Sequence, residues 1–350
     1  MKASLKGNGQ KKAQTAMRNG IAFIRRSILS DVPANTFVLV DTHSDTNTGG
    51  LQWSGGATGP KHVLASEVLQ KFCGGDFLSA MKAAANKARG MKRPLQQTGW
   101  CDDSPSSRGG WRGLLLSTCS PAMRVPDSFR DIRGLVERQV RSFPVEQLRR
   151  ANGELPSDTF DFVLGFAGSS TIPSQIRNAL SQVIERIGVD KTGSLWETIV
   201  RVIGHDLLLL QVNAVVVVYR ERDTNEVEAR KIGRHDPPLR PWGVEFHACG
   251  TPGCDRMSRD FVVRSDIFDV RMTCRYCRWT SAWVKQPHWK DHVFRLDSTL
   301  PNVFWHDYPP SKSLQQLFVD VTGKKAADKA RAEATEHVSD GDHNAVACSR

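Results

Sequence analysis

Four short apolar runs mark the first two-thirds of the chain: Phe37–Val40, Gly113–Ser117, Phe160–Phe166 and Ala214–Tyr219. Three of the four lack alternation with polar residues, the pattern of a strand buried on both faces. Between them the apolar positions recur at helical spacing. Met17, Ile21, Ile24 and Ile28 predict a helix over about 17–30, which Val32-Pro33-Ala34-Asn35 ends. Helices are also predicted over Ala65–Phe72 and Ser79–Arg89, and from Pro126, where Phe129, Ile132, Val136 and Val140 share one face. Two more are predicted, from Ser174 to about Ile187 and from about Leu195 to Leu210. The Gly-, Ser- and Thr-rich stretch 44–62 reads as a loop with Leu51-Gln52-Trp53 as one arm of a small hairpin, and 91–110 as a flexible insertion.

This order of strands and helices is the rhythm of an α/β fold: a mostly parallel sheet in three layers, with helices on both faces. In such sheets ligands sit beyond the carboxyl ends of the strands. Two runs end at reactive residues. Phe37-Val38-Leu39-Val40-Asp41-Thr42 leads to His43, and Leu114-Leu115-Leu116-Ser117-Thr118 leads to Cys119. If the two strands are neighbours, a thiol and an imidazole leave the sheet at one edge, which is what a nucleophile and its base require. An imidazole helps the thiol ionise, and amides left unpaired at a strand end serve a developing oxyanion. Spacing alone also allows the bland alternative, a buried strand that happens to end in Cys and a histidine on a surface loop.

The ordered set resembles the caspase-like cysteine peptidase fold, and within it the CHAT type related to separases, caspases and gingipains. The elements that carry the resemblance are the helix Ala22–Leu29, the strand Asn35–Val40 with its Thr42-His43 corner, the Gly-containing loop, the strand ending in Cys119, and Phe160–Ser169. It covers about residues 20–220. The resemblance implies hydrolysis of a protein substrate through a Cys119 thioester, with His43 as base and Ser44, Gly168 and Ser169 in the oxyanion and substrate loops. It departs from the family at Ser44, where Gly is usual, at Thr118, where Ala is common, and in the absence of strands before the histidine strand. A CHAT-like scaffold without the chemistry is the alternative. A charged pocket in this fold selects the residue before the cleaved bond; Asp41, Asp45, Asp102, Asp103, Arg124 and Arg130 are its candidates, none ranked above the others.

Cysteine spacing adds a second module. Cys249-x4-Cys254 and Cys274-x2-Cys277, 19 residues apart, supply four thiolates in two short loops, the donor set of one structural zinc ion. Phe261–Val263 and Ile267–Val270 between them read as strands, so the module reads as a zinc ribbon whose folding the metal supports. His247 is the alternative ligand. Arg271, Arg275, Arg278, Lys285 and Lys290 lie among Tyr276, Trp279, Trp283 and Trp289, a mixture able to stack on single-stranded nucleic acid. Seven acids offset ten bases within 240–300, so the aromatic residues read first as a thin core and the nucleic-acid role as secondary to a protein partner.

Charge and composition refine this picture. The net charge of +11 is concentrated near the start, where residues 1–26 carry seven Lys or Arg and no acid. The chain therefore divides into a disordered basic tail (1–16), the caspase/CHAT-like domain (17–221), a polar Pro-rich linker (222–243), the zinc-ribbon-like module with a packed return segment around Phe304–Pro310 (244–322), and a disordered tail (323–350). The most apolar stretch, Asp206–Tyr219, is broken by Gln211 and Asn213 and is shorter than the roughly 20 residues of a spanning helix. With no apolar leader and zinc-type cysteines, the expectation is an intracellular protein, cytoplasmic or alternatively nuclear, with no membrane partner.

Overall fold

A computed structural model describes residues 8–30, 34–54, 59–90, 110–118, 121–137, 158–167, 173–189, 194–221, 224, 226–236, 240–244, 259–263, 270–274, 276–278, 280, 283, 292–300 and 302–311. The chain divides into two compact units, residues 1–232 and 233–350.

In the first unit the apolar runs become a mixed sheet. Its strands are β1 (Thr36–Asp41), β4 (Arg112–Ser117), β5 (Phe162–Phe166), β6 (Val215–Arg220) and β7 (Val227–Arg234), in that spatial order. A separate hairpin pairs β2 (Leu51–Ser54) with β3 (Lys61–Val63). Strand β1 lies parallel to β4 with an unbroken register from Thr36 opposite Arg112 to Asp41 opposite Ser117, and β4 is parallel to β5. Every residue of β4, β5 and β6 is buried, so both faces of these strands are covered.

The expectation of a mostly parallel sheet is corrected here. The β5–β6 and β6–β7 joins are antiparallel. Helices α5 (Pro173–Val189), α6 (Leu195–Ile203) and α7 (Leu207–Val212) return the chain to the end where β5 leaves, and Ala167 N donates to Ala214 O at 2.7 Å. A run such as Val215–Val218 is apolar because it is buried on both faces; its composition carries no direction.

Three boundaries also differ. Helix α1 covers Asn8–Leu29, so it begins inside the stretch expected to be disordered; Lys11, Lys12, Ala13, Gln14 and Ala16 are all strong or adequate helix formers. The helix expected over Leu195–Leu210 is two, because Asp206 caps a new start: its carboxylate accepts from Leu209 N at 3.0 Å. The linker expected over 222–243 contains strand β7. Its charged residues hid it, but they are engaged: Tyr219 Oη donates to Glu228 at 2.7 Å, and the Arg230 guanidinium lies 4.9 Å from the Trp196 ring, itself stacked on Tyr219. The tail 323–350 lies outside the described residues.

The remaining helices of this unit are α2 (Ala65–Gly90), α3 (Pro121–Arg124) and α4 (Pro126–Gly134). The two helices expected over 65–89 are both present along α2, separated by a break at Gly74, whose φ of +76° and ψ of 165° are not helical. Asp131 on α4 holds its start, accepting from Ser66 N at 3.0 Å and Ser66 Oγ at 2.5 Å; burial raises the pKa of this carboxyl, and those bonds partly counter the effect.

The second unit begins within β7. In strand order the end of β7 is followed by β11 (Val303–Asp307) and β10 (Phe294–Arg295), which pair antiparallel with Phe294 stacked on Trp305 at 4.4 Å. A tight turn, Pro241–Gly243, with Trp242 at φ +53°, is tied down by Trp242 N donating to His235 Nδ1 at 2.8 Å. Burial lowers the pKa of His235, and Asp236 partly opposes it. Strands β8 (Arg259–Val263) and β9 (Val270–Cys274) form a separate hairpin. Among the described residues no helix is long and apolar enough to cross a membrane.

Candidate functional site

The rim where β1 and β4 end is built from short-range backbone bonds. Thr42 N donates to Ser117 O at 3.4 Å, one last link between the strands. Beyond it the chain turns to pair with β2: Thr42 Oγ1 donates to Gln52 O at 2.6 Å, Gln52 N donates to His43 O at 2.8 Å, and Ser44 bridges to Leu51. The His43 backbone is therefore held on both sides while its side chain stays exposed.

The loop between Ser44 and Leu51 closes on itself. Asp45 accepts from Thr48 N at 2.7 Å, Thr48 Oγ1 at 2.8 Å and Asn47 N at 3.1 Å. These donors, the Thr48 amide first, hold the Asp45 carboxyl below its ordinary range. A carboxylate so engaged serves the turn before it serves a substrate. Gly49 follows with φ +70°, and a Cβ there would come within 2.7 Å of Pro121 O and 2.8 Å of Ser128 Cβ. Only glycine combines that dihedral with that approach. Ser128 Oγ donates to Gly49 O at 3.1 Å and to Ala122 O at 2.9 Å, fastening the histidine loop to α3 and α4.

On the β4 side Ser117 Oγ donates to Asp41 Oδ1 at 3.0 Å, and Thr118 is buried. Cys119 itself lies outside the described residues, as do Gly168 and Ser169. The chain resumes at Pro121, the first residue of α3, whose Met123 packs so closely on β5 that a Cβ at Gly165 would be 2.6 Å from its sulfur. The histidine loop thus rests on the helix that begins two residues after the cysteine. That clamp escapes sequence reading because it joins positions 79 apart. One signal was available: Asp41-Thr42-His43 and Ser117-Thr118-Cys119 repeat the same order of polar residue, threonine and reactive residue. Of the charged pocket candidates, Arg130 pairs with Asp127 at 2.9 Å on the surface of α4, Arg124 ends α3, and Asp102 and Asp103 lie outside the described residues.

The cysteine hairpin is described in part. Cys249 and Cys254, with His247, lie outside the described residues. Strand β9 ends at Cys274, which is buried, and Cys277 follows in an exposed turn. Arg278 N donates to Cys274 O at 3.0 Å, with Arg278 at φ +62°, closing a tight loop around the Cys-x2-Cys pair. Thr273 bridges to Thr280 across that loop. Two cysteines three positions apart at such a turn fit half of a four-thiolate zinc site. No group of three or more metal-ligating side chains occurs among the described residues. Of the basic and aromatic residues nearby, the Arg271 guanidinium already lies 4.9 Å from the Trp283 ring.

Against known proteins, no family model matches the chain, and no match is found among curated proteins or solved structures.

Proposed function

We propose that the chain is a cysteine peptidase of the caspase-like type, acting on a protein substrate, with Cys119 as nucleophile and His43 as base. The observation that supports it most is the register of β1 against β4. The strands are parallel neighbours with a constant offset of 76 positions, the offset that also separates His43 from Cys119. Asp41 and Ser117, two positions before each, touch. One peptide bond separates Thr118 from Cys119, and the histidine loop is fastened to α3 immediately beyond.

In this reading the Cys119 thiol gives its proton to His43, and the sulfur adds to the substrate carbonyl carbon. The C–N bond then breaks as His43 returns the proton to the leaving amine, and water hydrolyses the thioester with His43 again as base. The oxyanion would be met by backbone amides at the two strand ends, the Ser44 loop being one candidate segment. The hairpin cysteines have a separate, structural part. Cys249, Cys254, Cys274 and Cys277 would hold one zinc ion, which would supply folding energy to a module of two short strands. Metal analysis of the purified chain is expected to return one zinc, lost on Cys274→Ser; a metal-free protein with an intact hairpin would refute this.

The chemistry is tested by labelling with a thiol-reactive electrophile. Cys73 is an internal reference: burial pushes its thiol up to about 11, so little thiolate is present at neutral pH. Cys119 is expected to label far faster than Cys73, and His43→Ala to slow that labelling by about 100-fold or more. Cys119→Ala is expected to abolish peptide turnover. Equal labelling of the two cysteines would leave a scaffold without catalysis.

A further inference from the structure

Strand β1 stands at the end of its sheet, with β4 on one side and no strand among the described residues on the other. Thr36 N donates to Trp111 O at 2.7 Å and Thr42 N to Ser117 O at 3.4 Å. Backbone direction alternates along a strand in a parallel ladder, so residues 36, 38, 40 and 42 face β4. The N–H and C=O of Phe37, Leu39 and Asp41 therefore face outward. Such edges are ordinarily guarded by lysine, proline or a bulge. Thr36–Asp41 has none of these, its register with β4 is unbroken, and Leu39 is 58% exposed.

The order of residues indicates what pairs there. Thr36-Phe37-Val38-Leu39-Val40-Asp41-Thr42 is a near-palindrome about Leu39. Laid antiparallel on itself with Leu39 at the axis, it sets Leu39 against the partner's Leu39, Val38 against the partner's Val40 and Thr36 against the partner's Thr42. Only Phe37 and Asp41 meet unlike residues, and that mismatch keeps the two acids at opposite ends of the seam, where like charges are not opposed. In this register the outward-facing residues 37, 39 and 41 oppose outward-facing residues, as a hydrogen-bonded antiparallel ladder requires. An unrelated peptide would not call for this symmetry.

We propose that the chain forms a two-fold dimer by antiparallel pairing of β1 with β1 of a second copy. The inference does not depend on the Cys119 chemistry. One strand pair buries less than a standard interface, so the dimer is weak and concentration-dependent.

Sedimentation of the full chain over a concentration series tests this. A monomer–dimer equilibrium is expected, and Leu39→Lys, which sets two ammonium groups face to face across the axis, is expected to weaken it about tenfold or more while leaving the melting curve unchanged at concentrations where the parent is monomeric. Directly opposed residues of a hydrogen-bonded pair lie about 5.5 Å apart at Cα, within disulfide reach. Leu39→Cys is therefore expected to give a covalent dimer under mild oxidation, beyond any formed by the parent chain, and Thr36→Cys is not. A monomer at every concentration, as when another segment of the same chain covers β1, would overturn the proposal. So would a dimer indifferent to Leu39→Lys, or Thr36→Cys cross-linking as readily as Leu39→Cys. Should Leu39→Lys fail to fold, the cysteine pair decides.

Discussion

The two ends of the first unit's sheet treat charge in opposite ways. Where β4 and β5 begin and β6 finishes, two buried arginines are paired with two aspartates. Arg112 N and Nε donate to Asp161 Oδ2 at 2.9 and 3.0 Å, its Nη2 donates to Asp161 Oδ1, and its Nη1 donates to Met81 O at 3.3 Å. Arg220 Nη2 donates to Asp158 at 2.9 Å and to Val136 O, and its backbone N donates to Asp161 O. Asp158 sits at φ +54°, a strained dihedral for a residue with a side chain, held by these bonds. At the opposite end Asp41 and His43 are exposed, and Asp41 takes one hydroxyl from Ser117. A buried, fully bonded ion pair fixes a fold; an exposed imidazole on a backbone held from both sides can accept a proton from something else. The comparison places the buried ion pairs at one end and the exposed His43 at the other, the end where the proposed chemistry would lie.

The largest effect expected from breaking this division is at the closed end. Asp161→Ala leaves the Arg112 guanidinium buried without its carboxylate, and loss of one partner of such a pair costs about 3–5 kcal/mol. Chemical denaturation should show it as a lower midpoint with an unchanged slope. In the protein that remains folded, the rate at which Cys119 labels should equal that of the parent. A slower rate would show that the two ends are coupled and that the division of roles is false.

The runs that become β4, β5 and β6 are legible in the sequence because burial on both faces removes the alternation that would blur them. Val215–Val218 is short and wholly β-branched, which argues for a strand over a helix. Its direction is another matter, since it depends on where three helices return the chain. Strand β7 was hidden for the opposite reason. Val227-Glu228-Ala229-Arg230 carries charges that read as solvated, yet they cover Tyr219 and Trp196. The polar ends of β1 and β4, each leading through a threonine to His43 or Cys119, are visible from residue order alone. Their adjacency was an inference from fold class, and the pairing of Asp41 with Ser117 supplies it for the strands. The clamp from Gly49 to Ser128 was illegible, because a glycine in a Gly-rich loop looks like slack until its neighbour, 79 positions on, is known.

That clamp supplies the smaller and sharper prediction. Gly49→Ala forces a side chain into the left-handed region and drives its Cβ to within 2.7 Å of Pro121 O, which is backbone and cannot swing aside. The strain is worth about 1–3 kcal/mol if the loop stays in place. The loop has an alternative, which is to lift off α3. The turn around Asp45 is closed by its own hydrogen bonds and would move as one piece, taking Ser44 and the His43 carbonyl out of their pairing with β2. The stability loss should then be smaller than for Asp161→Ala, while the loss in Cys119 labelling should be larger, reversing the order of the two variants between the two measurements. If Gly49→Ala lowers stability and leaves labelling at the parental rate, the loop is scaffold, and the open end has no better claim to function than the closed one.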